Sequence, residues 1–332
     1  RILAASGQSV IQNGAGSNLA RGIASTLISS PLIDRTVGSF EVDEAELVTV
    51  SRALKPKLIV LLNLFRDQLD RYGELDATAR KWAALGKLPA TNLLVNADDP
   101  NLGWLATQVG PRPRGQHPEG ALPSHLPGEP RPPRTSRITT FGIESVVGER
   151  HGRSLDLPHT ADVVLSPVSH ARLRYRRVSF SHLGDYRDPQ SSFKRPSLDC
   201  AVTDVKLLGL DGSQFFIHDR RKKVLLTLTT PLPGLFNVYN VAAAAISALQ
   251  LGVGRSTIEA AVTSFQGAFG RFETINFSNG RKLTMLLVKN PVGFDQALKL
   301  IDSIKYDQLV LGVNDNIADG TYLSWIWDVD FE

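Results

Sequence analysis

Strand and helix patterns alternate through the first 108 residues, and that alternation constrains the fold more than any other feature. Strands separated by helices pair in parallel, with the helices packed on the sheet faces. Apolar runs predict strands over 9–12, 39–42, 58–62 and 92–95. Between them the spacing predicts an apolar helix after Asn18 and helices over 45–53 and 77–85. The expected core is α/β, with a doubly wound, mostly parallel central sheet. The pattern breaks over 111–137, where eight prolines fall between Pro111 and Pro133. A segment of that composition buries too little apolar surface to order itself and reads as a disordered insertion over 109–138.

Beyond the insertion the period changes. From Thr139 to about Thr230 the runs "VSFSHLG", "AVTDVKLLGL", "SQFFIHD" and "KKVLLTLTT" alternate in the manner of antiparallel β-strands. An Ala-rich buried helix follows over 238–251, with Asn237 and Asn240 flanking its start, where they could cap it or present amides to a ligand. A last α/β unit is expected from the strand "KLTMLLVKN", a helix over 293–304 and the strand "QLVLGVN".

A chain of 332 residues suggests two or three domains. Lys and Arg number 37 against 33 Asp and Glu, a net charge of +4. That small excess suits an anionic small substrate, and the chain has no RNA-binding aromatic motif or basic helix to suggest nucleic acid. A single cysteine, Cys200, excludes an internal disulfide framework and a cysteine-only zinc site. Cys200 itself reads as a small buried hydrophobe rather than a nucleophile. With no apolar run approaching about 18 residues and no signal peptide, a soluble cytoplasmic protein is expected, not an integral membrane one. "RILAASGQSVI" opens like the middle of a helix and "SWIWDVDFE" stops without a terminal element, so both ends read as truncations.

The stretch "LLNLFRDQLDRYGELD", beginning at Leu61, leaves two readings open. A surface helix with Leu64, Phe65, Leu69 and Tyr72 turned inward would carry its charges outward. Alternatively, Asn63, Arg66 and Asp67 sit just beyond the carboxyl end of a strand, where ligands of α/β sheets bind.

Eight segments, "NGAGSNLARGIASTL", "FEVDEAEL", "LLNLFRDQLDRYGELD", "NADDP", "PGLFNVYNVAAA", "GRFE", "VKNPVGF" and "NDNIADG…SWIWDVDFE", resemble in order and approximate spacing the MurT family. These are the Mur-ligase-like subunits of the bacterial lipid II isoglutaminyl synthase. The resemblance implies ATP-dependent amidation of the D-glutamate α-carboxylate of lipid II at the inner face of the membrane, with ammonia from a GatD-like glutaminase partner. It implies Mg²⁺ at Glu41, with Asp43 and Glu44 beside it. It places Asn18, Asn63, Asp67, Asn96, Asp98, Asp99, Asn237, Asn240 and Arg271 around the nucleotide. A C-terminal aspartate completing the partner's catalytic triad would be Asp328, with Asp319 and Asp330 as alternatives. "NADDP" also has a plain reading as an Asx turn after a strand.

Two departures from the family pattern stand out. The Gly-Lys-Thr phosphate loop expected before the opening helix is not in these residues, so this stretch alone should bind ATP weakly. Where many relatives carry two Cys-Pro-x-Cys pairs, this chain has Ser166 and Ser169, then Asp188 and Ser191. Hydroxyls are poor zinc ligands beside thiolates, and neither His170 nor His182 occupies a ligand position, so a ribbon without zinc is expected. The implied organisation is a Mur-ligase-like central domain over 1–108 and 200–265, a degenerate zinc-ribbon β insertion over 139–199, and a partial C-terminal α/β domain over 266–332. Two rivals remain: an amino-acid-adding ligase, against which "VKNPVGF" lacks the usual Asp-Tyr-Ala-His start, and a decayed scaffold that only binds a partner.

Overall fold

The computed structural model describes the chain apart from residues 15–16, 32–35, 67–74, 110–136, 150–154, 266–272, 303, 314–323, 330 and 332. After the short helix α1 (Ile2–Ala5), strand β1 (Ser9–Ile11) leads into helix α2 (Ala20–Ser29) and strand β2 (Thr36–Gly38). These two strands pair in parallel, Ser9 opposite Thr36. Helix α3 (Leu47–Leu54), strand β3 (Leu58–Leu61), helix α4 (Leu75–Trp82), strand β4 (Asn92–Asn96), helix α5 (Pro100–Val109) and strand β5 (Ile138–Ile143) continue the alternation.

The insertion contributes the hairpin β6 (Arg174–Phe180) and β7 (Leu183–Arg187), paired antiparallel. Strands β8 (Cys200–Leu207), β9 (Ser213–Asp219) and β10 (Val224–Thr230) follow, then helices α6 (Leu235–Gln250) and α7 (Arg255–Thr263). The described C-terminal part holds the antiparallel pair β11 (Glu273–Asn276) and β12 (Lys282–Met285), helix α8 (Pro291–Asp302) and a 3-10 turn over Ser324–Asp328.

The main sheet has six strands in the order β10-β9-β8-β5-β4-β3. Its β3-β4-β5-β8 half is parallel and its β8-β9-β10 half antiparallel. Alternate residues of β4 enter opposite cores, as the two-residue repeat of a strand requires. Leu93 and Val95 join Ile59, Leu61, Trp82, Leu102 and Leu105 on one face. Leu94 joins Phe141, Ile143, Phe215, Ile217 and the inner side of α6 on the other. The insertion has its own small core of Leu173, Tyr175, Tyr186 and Phe193.

Several expectations are corrected. Strand β5 lies inside the main sheet between β4 and β8, so the insertion does not begin at 139. All six residues of β5 are buried, as a central strand requires. The strand expected over 39–42 instead ends at Gly38 in β2. Helix α6 begins at Leu235, three residues before the expected start, because Gly234 at φ +87° makes the turn that opens it; a Cβ there would fall 2.6 Å from the Phe236 ring. Residues 308–313 form no strand, and β12 pairs with β11 rather than with a strand from that segment. The proline-rich segment lies outside the described residues apart from its edges.

Candidate functional site

The chain leaves the carboxyl end of β3 in an extended path that is pinned residue by residue. The Leu62 carbonyl accepts the Asn96 side-chain amide at 2.8 Å, and the Leu64 N–H donates to Asp99 at 2.7 Å. Phe65 packs on Phe180 and on the His182 ring, with centroids 5.8 and 4.9 Å away. The Arg66 N–H donates to Asp162 at 2.9 Å, and its guanidinium also binds Asp162. Residues 62–66 are therefore not the start of a surface helix. Asp67 lies outside the described residues.

Asn63, at this strand end, lines a cavity of about 860 Å³ that runs along the outer edge of β3. Glu41, Glu44 and Asn240 line it too, among many apolar residues of α3, α6 and β3. Glu41 is exposed, since the chain from Phe40 to Asp43 has left the β2 ladder. A side chain takes the place of a strand partner: the Glu41 N–H donates to Asn13 Oδ1 at 2.9 Å, and Asn13 Nδ2 donates back to the Glu41 carbonyl at 2.7 Å. The same Asn13 amide donates to the Ser17 carbonyl at 2.9 Å, and the Asn18 carbonyl accepts the Asp43 N–H at 3.0 Å. Asn13, Ser17 and Asn18 are thus tied to residues 41–43. Asn13 was not legible as a site residue, because its partner is 28 residues away and "NG" signals only a turn.

The "NADDP" residues face inward. Asn96, Asp98 and Asp99 are all fully buried. Asn96 Oδ1 accepts the Asp98 N–H at 3.1 Å. Asp99 Oδ1 accepts the N–H groups of Asn101 and Leu102 at 2.8 and 3.2 Å, capping α5, with Pro100 as its first residue. His182 Nε2 lies 3.4 Å from Asp99 Oδ2, inside the core rather than at a metal position. Asp98 accepts from the Ile143 N–H at 2.8 Å and the Tyr239 hydroxyl at 2.5 Å, and pairs with Arg195 at 2.7 Å and Arg177 at 3.5 Å. Burial pushes the Tyr239 hydroxyl well above its ordinary pKa, and the Asp98 charge adds to this, so it stays a donor. In α6, Asn237 donates to the Pro233 carbonyl at 2.7 Å, and Asn240 lies one turn on, 3.5 Å from Asn237 Oδ1. Cys200 is buried and its thiol is pushed up to about 12 by burial and by the nearby charges of Asp219 and Asp199, so it is no nucleophile at neutral pH.

The four positions matching the ribbon cysteines converge without thiolates. Ser166 and Ser191 donate to Asp188 Oδ2 at 2.7 and 2.5 Å, and the Gln190 N–H donates to Oδ1 at 2.8 Å. Ser169 holds its own turn through the Ala171 N–H at 3.2 Å. Burial opposes ionisation of Asp188, yet these hydrogen bonds outweigh it and hold its carboxyl far below the usual carboxylate range. A depressed folded-state pKa contributes stability that is complete above the unfolded pKa, about 3.9, and fades as pH falls below it. Acidification from pH 5 to pH 3 is therefore expected to lower the protection factors of the amides in 166–193, each taken against the intrinsic exchange rate at the same pH, and Asp188→Asn should remove most of that pH dependence. An unchanged acid response in Asp188→Asn would show that other carboxylates carry it.

Asp328 closes the 3-10 turn over Ser324–Asp328 and pairs with Arg66 at 2.9 Å. Burial opposes the charge on Arg66, but Asp162 first and then Asp328 raise its pKa further. Arg271, Asp319 and Asp330 lie outside the described residues. No helix among the described residues is long and apolar enough to cross a membrane.

Residues 287–332 match the MurT ligase C-terminal family. The chain is 31% identical to the MurT subunit of the glutamine-hydrolysing lipid II isoglutaminyl synthase of Streptococcus pneumoniae (strain ATCC BAA-255 / R6), over 97% of this chain and 65% of that protein. It is 27% identical to the corresponding subunit of Staphylococcus aureus (strain COL), again over 97% of this chain and 65% of the relative. The chain thus spans 65% of the length of each. Among solved structures, a pseudomurein peptide ligase type C from Methanothermus fervidus superposes with a TM-score of 0.63 at 20% identity, covering 90% of this chain and 52% of that one. MurF from Acinetobacter baumannii gives 0.59 at 15% identity, covering 92% and 51%. These structures share the Mur-ligase fold, with its α/β central sheet. The C-terminal match and the similarity along nearly the whole chain place this protein in the MurT family.

Proposed function

We propose that the complete protein uses ATP to activate the α-carboxylate of D-glutamate in lipid II and amidates it with ammonia from a GatD-like glutaminase, in the cytoplasm at the inner membrane face. The observation that carries this reading is the convergence of Glu41, Asn63 and Asn240 on one cavity along β3. Three residues from distant parts of the chain, each nominated by the family resemblance, line that cavity, and Asn63 stands at the carboxyl end of β3, the end at which α/β sheets receive their ligands. A carboxylate does not react usefully with ammonia until it is activated. One of its oxygens attacks the γ-phosphorus of ATP and the bond to ADP breaks, giving an acyl phosphate. Ammonia then adds to the acyl carbon, phosphate leaves and the amide remains.

Such a transfer depends on positioning and on neutralising phosphate charge. Mg²⁺ keeps several waters and takes one or two carboxylates plus substrate phosphates, a donor set that an exposed Glu41 at the cavity wall fits. When bound, the ion would supply that charge neutralisation, with Glu41 as its protein ligand. Asn13 holds both backbone polar groups of Glu41, which fixes where its side chain leaves the chain. Asn63 and Asn240, which line the same cavity, would offer amides to the nucleotide. The ribbon is zinc-free in this reading, because Ser166, Ser191 and Asp188 already bond one another.

The test is Glu41→Ala in the complete protein with its glutaminase. ATP-dependent amidation of lipid II should fall at least about a hundredfold, the loss expected when a metal ligand is removed, with an unchanged unfolding midpoint. Near-parental turnover at saturating ATP and Mg²⁺ would remove Glu41 from the site. Failure of the unsubstituted complex to amidate lipid II with any nitrogen source would overturn the function.

A further inference from the structure

Arg66 holds three parts of the chain with one side chain. It belongs to the loop that leaves β3, three residues after Asn63. Its N–H and its guanidinium both bind Asp162 of the insertion, whose side chain is fully buried. Its Nη2 binds Asp328 of the C-terminal segment at 2.9 Å. The two ion pairs differ in kind. Main chain and side chain together fix Arg66 on Asp162, and Phe65 alongside is packed on Phe180 and His182. Asp328 is the outer partner, its side chain 41% exposed, on a short turn between Trp327, 88% exposed, and the buried Val329. A fixed cation therefore sets where a surface carboxylate stands, beside an exposed aromatic side chain.

We infer that Arg66 is a positioning residue: it aims Asp328 at the partner glutaminase and ties that aim to the β3 loop that carries Asn63. The inference rests on the proposed function and on the family resemblance, which implies that a C-terminal aspartate, Asp328 first among the candidates, orients the partner's catalytic histidine. Arg66 touches no reacting atom in this account. With one oxygen held by Arg66, the other can accept the imidazole N–H, and a carboxylate held on one side keeps the orientation that a triad needs. A ligand at the strand end that moves the β3 loop moves the guanidinium, and Asp328 with it. The arginine fork is essential to this, because one planar group must serve two carboxylates at once.

Arg66→Lys keeps a positive charge against the buried Asp162 but cannot span both partners. In the complete complex it should lower glutamine-dependent amidation of lipid II about tenfold while leaving amidation from added ammonium within about twofold, with assembly and unfolding midpoint unchanged. Adding Asp328→Glu, whose longer carboxylate can reach the shorter cation, should recover part of the loss, which a merely structural role would not produce. Equal loss with both nitrogen sources, no loss with either, failure to fold or assemble, or no rescue by the double variant would each overturn the inference while leaving the proposed function standing. If the unsubstituted complex amidates nothing even with ammonium, the proposed function fails and this inference falls with it.

Discussion

Asp98→Ala is expected to destabilise the protein by about 3–5 kcal/mol, the loss typical of removing one partner from a buried ion pair. The carboxylate has no exposed surface, and Arg177 and Arg195 beside it have side chains only 3% and 10% exposed. Removing it leaves two buried guanidinium groups facing each other with the Ile143 carbonyl as their shared acceptor. Such a loss is a large share of a total stability on the order of 5–15 kcal/mol. The site is also too tight to rearrange, since a Cβ at Gly142 would fall 2.3 Å from Asp98 Oδ1. Tyr239→Phe is the internal control: it removes one hydrogen bond to Asp98 but keeps the ring, and should cost only about 1–3 kcal/mol. Denaturant midpoints at constant slope give both values. An Asp98→Ala variant within about 1 kcal/mol of the parent would mean that the network is not compensated as the geometry indicates.

The same network shows how far local sequence goes. "NADDP" signals a strand end followed by a helix cap, and Asp99 with Pro100 does cap α5. Nothing local distinguishes Asp98 from Asp99, although one joins β5, α6 and two arginines and the other caps α5 and pins the loop after β3. The partners of Asp98 are set by separations of 45 residues to Ile143 and 141 to Tyr239, which periodicity cannot see. Alternation in 1–108 predicted the parallel strands because each strand carries its own apolar run. It misplaced β5, since an isolated run of β-branched and aromatic residues looks alike in an antiparallel module and in a central parallel strand. Glu41 was located by its motif but expected at a strand end in a buried run. The structure puts it on an exposed loop that Asn13 grips in place of a strand neighbour. In the stretch that begins at Leu61, the charges that suggested a surface helix include Arg66, whose partners Asp162 and Asp328 are both distant in the chain.

Asp328→Asn should separate the nitrogen sources more sharply than any other substitution. In the proposed complex, glutamine-dependent amidation is expected to fall about a thousandfold, because an amide in place of a triad carboxylate neither stabilises the imidazolium nor enforces the productive tautomer. Added ammonium bypasses the glutaminase, so amidation from ammonium at mildly alkaline pH should remain near the parental rate, with ATP consumed in step with product. The fold should tolerate the change. Asp328 is well exposed and its pair with Arg66 lies near the surface, so its loss costs at most about 1 kcal/mol, while Arg66 keeps its buried partner Asp162. The effect should also exceed that of Arg66→Lys, since one substitution removes the orienting carboxylate and the other only its support. Equal failure with both nitrogen sources in an assembled complex would assign Asp328 to the ligase site. Full activity with both would move the triad role to Asp319 or Asp330, and would leave the Arg66 pair as a clasp between the β3 loop and the C-terminal segment.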